Sequence, residues 1–180
     1  MVKNITFMLS FLTAIGQIFL VVSVLYFLIK KNQPEFFKKN ALWFSFLISL
    51  IATLGSLFYS EIAGYEPCVL CWYQRILMYP EVVILLLALI KKEGRRIADY
   101  VLTLSIVGAA IAAFNYYLQV RGAGSFACST VGYSTDCSET FFMTFGYITI
   151  PLMALTAFLL IIVSMFALKL KENRMQNISV

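Results

Sequence analysis

Five long apolar runs dominate the chain, at about Ile5–Ile29, Ala41–Tyr59, Tyr73–Ile90, Ile97–Gln119 and Tyr147–Leu168. Each comes close to or exceeds the roughly 20 residues a helix needs to cross a hydrocarbon core. The runs are continuous rather than striped, so none reads as a surface helix with one wet face. They also lack the alternation of polar and apolar positions that marks barrel strands. The pattern predicts an all-α membrane protein, a single membrane domain over residues 1–180 with no space left for a soluble one.

Composition agrees with the pattern. Hydrophobic residues make up 61% of the chain and charged residues 13%, about half the charged share of a soluble domain. The cations cluster between spans. Lys30, Lys31, Lys38 and Lys39 follow the first run, and Lys91, Lys92, Arg95 and Arg96 follow the third. Lys169, Lys171 and Arg174 follow the fifth, so all but Lys3, Arg75 and Arg121 of the 14 Lys and Arg fall on one side. That side is expected to be cytoplasmic, with the N-terminus outside and the C-terminus inside. The net charge of +5 is then mainly a topological signal; it could attract anionic lipid but does not form a nucleic-acid surface. The first run is too long for a signal peptide and lacks a small-residue cleavage site before Lys30, so it reads as a helix.

The expected outer loops, Ser60–Trp72 and Val120–Gly146, hold all four cysteines: Cys68 and Cys71 in the first, Cys128 and Cys137 in the second. The outer side of a bacterial plasma membrane is oxidising, and an even cysteine count suits disulfides there. Two structural staples are one reading, and for Cys128 and Cys137 it is as good as a redox role. It is weaker for Cys68 and Cys71, because a bridge across two residues removes little unfolded-state entropy. A zinc site is disfavoured by the absence of His. Pro67 and the apolar run that follows place the Cys-Val-Leu-Cys stretch at a helix N-terminus, where backbone N–H groups favour a thiolate. Arg75 lies one turn beyond Cys71, either snorkelling to headgroups or holding a negative charge beside the thiolate. Trp72, Tyr73 and Tyr79 form either an interfacial belt or a slot for a ring.

The stretch Glu66-Pro-Cys-Val-Leu-Cys-Trp-Tyr-Gln-Arg-Ile-Leu-Met-Tyr-Pro80, the cysteine pair between the last two spans, and Gly146-Tyr-Ile-Thr-Ile-Pro-Leu-Met-Ala-Leu-Thr-Ala-Phe158 resemble the bacterial disulfide bond formation protein B family, in particular its Gram-positive-type thiol-disulfide oxidoreductase C members. The resemblance covers about residues 41–168 and implies a four-helix transmembrane bundle core, to which the helix over about 5–29 is an addition. It implies a membrane thiol-disulfide oxidoreductase that reoxidises an extracytoplasmic thioredoxin-fold thiol oxidase and passes the electrons to a membrane quinone, ubiquinone or menaquinone. In that scheme Cys71 faces the quinone and Arg75 contacts it. Cys68 exchanges with the second pair, Cys128 captures the soluble partner, and Cys137 relays to Cys68. The chain departs from the family in its first span and in the eight residues separating Cys128 from Cys137. It also lacks a His near the end of the fourth span, where Phe114-Asn-Tyr-Tyr-Leu-Gln119 stands.

Glu81, an acid inside a span, is a candidate proton carrier or a helix–helix contact. Asn115 and Gln119 read as interhelical hydrogen-bonding residues. Two other functions are compatible with parts of the pattern. A vitamin K epoxide reductase-like protein also couples cysteines to a quinone, but it carries the quinone-facing pair after the loop pair. A non-catalytic membrane protein with two loop disulfides would leave Cys71 dispensable.

Overall fold

The computed structural model describes residues 1–30, 35–121 and 141–178. Five helices carry the chain: α1 (Val2–Lys30), α2 (Glu35–Leu57), α3 (Val69–Lys91), α4 (Gly94–Arg121) and α5 (Ile150–Ile178). All five contain a stretch long and apolar enough to cross a membrane. In hydrocarbon the backbone has no water to bond, so a helix that satisfies its own N–H and C=O groups is the form these runs take. The chain is a multi-pass membrane protein with an all-α fold and one helix ahead of a four-helix core.

The helices exceed the apolar runs at most ends, because hydropathy reports lipid contact while the hydrogen-bond ladder continues into the interface. The fifth span is the exception, starting at Ile150 rather than Tyr147. Phe145 and Gly146 adopt positive φ, 55° and 78°, and the Ile148 N–H returns to the Thr144 carbonyl at 2.9 Å. This tight turn holds Tyr147 outside the helix.

Helices α2 to α5 share one core. Met78 and Leu85 of α3, Val101 and Ala112 of α4, and Phe158, Ile161 and Met165 of α5 are buried within it. The α4–α5 contact is close because Gly108 lies under the Phe158 ring; a Cβ there would come within 2.4 Å of ring carbons. The α3–α4 connection is short. Lys92 takes a left-handed conformation that ends α3, and α4 begins two residues later at Gly94. Lys169 pairs with Asp99 at that same end of the bundle.

α2 does not stop cleanly. Its last turn widens into a π-helical turn over Phe58–Ile62, and single wide turns of this kind concentrate at functional sites. The turn buries Tyr59, and the Tyr65 N–H closes back onto the Tyr59 carbonyl at 2.9 Å. Tyr65 stacks on Phe141 with centroids 4.6 Å apart, and Tyr59 meets Phe142 at 5.4 Å. The segment leading to Cys68 and the segment leading to α5 are thereby joined at one end of the bundle.

Candidate active site

Cys68 is the N-cap of α3. Its backbone is extended (φ −68°, ψ 167°), and its Sγ accepts the Cys71 N–H at 3.4 Å. A sulfur in this position takes the role that a Ser or Asp oxygen usually fills, satisfying one of the four free N–H groups of the first turn. The two-residue spacer then brings Cys71 around one turn, and its Sγ lies 2.8 Å from that of Cys68. The hydrogen bond shared with Cys71 pulls the Cys68 thiol down from its ordinary 9.0 to about 7, with burial opposing and Asn115 assisting. Cys68 is 5% exposed and packs on Leu118 of α4.

Asn115 is fully buried on α4 and points its amide at the pair, Nδ2 lying 3.5 Å from Cys71 Sγ and 3.8 Å from Cys68 Sγ. Asn115, read from the sequence as an interhelical hydrogen-bonding residue, thus makes its bonds to both sulfurs.

Cys71 opens the other way. It lies in the wall of a cavity of about 480 Å³, shared with Gln74, Arg75, Met78 and Tyr79 of α3. Arg75 sits at the polar end. Its guanidinium donates to the Ser56 carbonyl at 3.1 Å, just before the wide turn of α2, and lies 5.3 Å from the Trp72 ring centre. It shares the cavity wall with Cys71, but no hydrogen bond joins it to either sulfur among the described residues. Tyr79 donates to Ser56 Oγ at 3.3 Å, which ties α3 to α2 at the same level. Trp72 and Tyr73 are about half exposed on the outer surface of the bundle, where a belt would be, whereas Tyr79 turns inward.

Gln74 was not singled out by its place in the sequence. It is 6% exposed, lines the cavity, and its Nε2 has no hydrogen-bond partner among the described residues. A buried donor without a partner costs about 1–3 kcal/mol, so its presence in this wall points to an acceptor-bearing occupant. Glu81 stands apart from the cavity. It is fully buried and accepts the Ser105 hydroxyl at 2.9 Å, bridging α3 to α4. Cys128 and Cys137 lie outside the described residues.

Comparison with known proteins places the chain in a family. Residues 38–168 match the family model described as disulfide bond formation protein DsbB. The chain belongs to the DsbB family. Among DsbB-type relatives, it is 46% identical over 129 residues to the probable disulfide formation protein C 1 of Bacillus cereus, which covers 72% of this chain and 91% of that one. It is 45% identical over 128 residues to the disulfide bond formation protein C of Bacillus subtilis, covering 71% and 91%. It is 40% identical over 132 residues to the SPbeta prophage-derived disulfide bond formation protein B of Bacillus subtilis, covering 73% and 87%. No solved structure matches the chain. Membership of the DsbB family makes the protein a membrane oxidoreductase of thiols and disulfides. The DsbB match starts at residue 38, beyond the whole of α1.

Proposed function

We propose that the protein oxidises an extracytoplasmic thioredoxin-fold thiol oxidase and passes the electron pair to a quinone in the bilayer. The observation that carries this reading is the two-sided placement of the Cys68–Cys71 pair. Cys71 faces an apolar cavity within the membrane-spanning part of the bundle, while Cys68 caps the helix on the side where both cysteine-bearing loops begin. A site of this form separates a thiol exchange in water from a redox step in lipid. The cavity also fits the acceptor chemically. The Arg75 guanidinium and the unpartnered Gln74 Nε2 are donors for carbonyl oxygens, and the rest of the wall is largely apolar. Bound there, a quinone supplies a lipid-soluble sink for two electrons and two protons.

The chain's own residues divide the work. A thiolate of the reduced partner attacks the Cys128–Cys137 disulfide at Cys128, forming a mixed disulfide and freeing Cys137. The partner's second thiol then resolves the mixed disulfide, so the partner leaves oxidised and Cys128 and Cys137 are left as thiols. Cys137 stands four residues ahead of Phe141, whose ring is stacked on Tyr65. Four residues reach at most about 14 Å, which keeps Cys137 close to the segment carrying Cys68. The Cys137 thiolate attacks a Cys68–Cys71 disulfide at Cys68, forming a Cys137–Cys68 bond and releasing Cys71 as a thiolate beside the cavity. Cys128 then displaces Cys68 from Cys137, which restores the Cys128–Cys137 disulfide and leaves Cys68 and Cys71 both reduced. Asn115 stabilises the Cys71 charge in a low-dielectric setting, and the Cys71 N–H at the start of α3 serves the Cys68 sulfur once it is freed. Arg75 holds positive charge at the level where negative charge develops on the acceptor side. The loss of an electron pair from the two sulfurs then restores their disulfide, and the cation-rich loops lie on the cytoplasmic side.

The test is quinone reduction by the purified protein, supplied with a reduced thioredoxin-fold oxidase, in wild type and in Cys71→Ser. The reading expects turnover in the wild type and its loss in the variant. Folded wild-type protein that reduces neither naphthoquinones nor benzoquinones would overturn it.

A further inference from the structure

α1 is an unusual membrane helix for this bundle. It lies outside the family match, which starts at residue 38, and the 129 residues aligned with the Bacillus cereus relative already take up 91% of that protein. It adds little to the common core: only 6% of its most apolar window is buried. Its hold on the bundle is nonetheless specific. Gln17, the polar residue at mid-span, donates from Nε2 to Thr156 Oγ1 at 3.3 Å and accepts the Tyr147 hydroxyl at 3.0 Å. Ring contacts fix both ends, Phe7 to Phe145 and Phe27 to Phe166. Leu9 reaches to within 3.4 Å of where a Cβ of Gly55 would stand on α2.

A helix pinned so firmly for so little burial encloses space instead of filling it. The cavity that Cys71 and Arg75 share has α1 as its remaining wall, through Leu9, Leu12, Thr13, Ile15, Gly16 and Phe19. Its α5 wall runs from Ile150 to Ser164, about 21 Å along the helix axis at 1.5 Å per residue. The charged and amide groups, Glu66, Gln74 and Arg75, gather at the Cys71 end, and Phe19, Phe37 and Phe44 line the remainder with Ser164 among them. Its 480 Å³ lies within the roughly 300–1,000 Å³ of sites that enclose small molecules.

We infer that α1 is a specificity wall: it closes the groove between α2 and α5 into a channel that takes the isoprenoid tail of the quinone whose ring lies at Cys71 and Arg75. This rests on the quinone reading above and deepens it. The occupant is set by the shape and chemistry of the cavity, which has a polar end sized for a ring and a long apolar remainder directed away from it. In a core without α1 that remainder would open to lipid, and the tail would contribute little beyond partitioning. With α1 in place the tail is held by protein, and its length becomes a binding determinant.

The test is equilibrium binding to the full chain in nanodiscs, read by quenching of Trp72 fluorescence in a Trp43→Phe background. The probes are menadione, which has no tail, and a naphthoquinone with a four-isoprene tail, alongside the tail-less and tailed benzoquinone pair. Leu12→Phe and Thr13→Phe put bulk into the α1 wall without touching Cys71, Arg75 or Gln74. Taking the ratio of the two dissociation constants in variant and wild type removes the partitioning of the tailed probe into lipid. Each variant is expected to cut the advantage of the tailed quinone about tenfold, the size of effect that small changes in an apolar pocket produce. Retained binding of the tail-less probe shows that the variant is folded. A tailed quinone bearing a diazirine at its tail end is expected to label α1 within residues 9–19. Ratios within about twofold of wild type, or labelling confined to other helices, would overturn the role of α1 and leave the quinone reading standing. Wild-type protein that binds neither tailed nor tail-less quinones of either class would instead remove the quinone reading, and this inference with it.

Discussion

The Asn115 amide lies 3.5 Å from the sulfur of Cys71, reaching across from α4 to α3 in the middle of a buried interface. The same nitrogen serves Cys68 at 3.8 Å, so one side chain follows the negative charge whichever sulfur bears it. Replacing it by Leu keeps the volume and removes the donor. With Cys128 and Cys137 changed to Ser so that only the inner pair reacts, Asn115→Leu is expected to slow iodoacetamide labelling of the reduced pair at pH 7 by roughly tenfold, the value of a hydrogen bond to a charged group. Labelling at the unsubstituted rate would show that the amide only fills space.

Cys68 should titrate where most cysteines do not. Its hydrogen bond with Cys71 is the leading cause of the drop from 9.0 to about 7. The labelling rate of Cys68, followed by mass spectrometry, is expected to rise through a midpoint near 7 as the thiolate forms and to fall away below it. Cys71→Ala removes the leading cause, and the midpoint should move toward 9.0.

Arg75 and Gln74 should separate acceptor binding from thiol exchange. Gln74→Leu is expected to raise the quinone KM about fivefold, the value of one neutral hydrogen bond. Arg75→Met should raise it tenfold or more, as the stronger, charge-assisted donor is lost. Both variants should exchange disulfides with the soluble partner at the wild-type rate in single-turnover mixing without quinone. Lysine at position 75 is a poor substitute, because it lacks the planar fork that reaches both Ser56 and the cavity.

Gly108 offers a stability test away from the chemistry. A Cβ at this position would meet three Phe158 ring carbons, two of them at 2.4 Å. Gly108→Ala is expected to destabilise the bundle by about 1–3 kcal/mol, the usual cost of overpacking. Thermal unfolding in detergent measures it, and Phe158→Leu in the same chain should recover much of the loss.

The sequence showed the spans and the inner cysteine pair well, because both are written in local patterns. Twenty apolar residues have one stable form in lipid, and Pro67 followed by Cys68 and an apolar run marks a helix start wherever it occurs. Asn115 and Gln74 were harder to interpret. In spans that are apolar on all sides, no periodicity tells which face meets a neighbour, so a polar residue's target depends on a helix rotation set by packing alone. Gly108 under Phe158 and Gln17 between Thr156 and Tyr147 are such packing facts. The start of α5 was misplaced for a different reason: Tyr147 is as apolar as its neighbours, and the positive φ values of Phe145 and Gly146 leave no trace in hydropathy.

The stacking of Phe141 on Tyr65, together with the contact of Leu118 with Cys68, brings the end of α4 and the approach to α5 to one spot beside the inner cysteine pair. In the proposed relay, a thiol borne in sequence between these two anchors is an intramolecular reactant toward Cys68, at an effective concentration on the order of millimolar. On that reading protein concentration sets how often the soluble partner arrives, while the inward transfer keeps its own first-order clock.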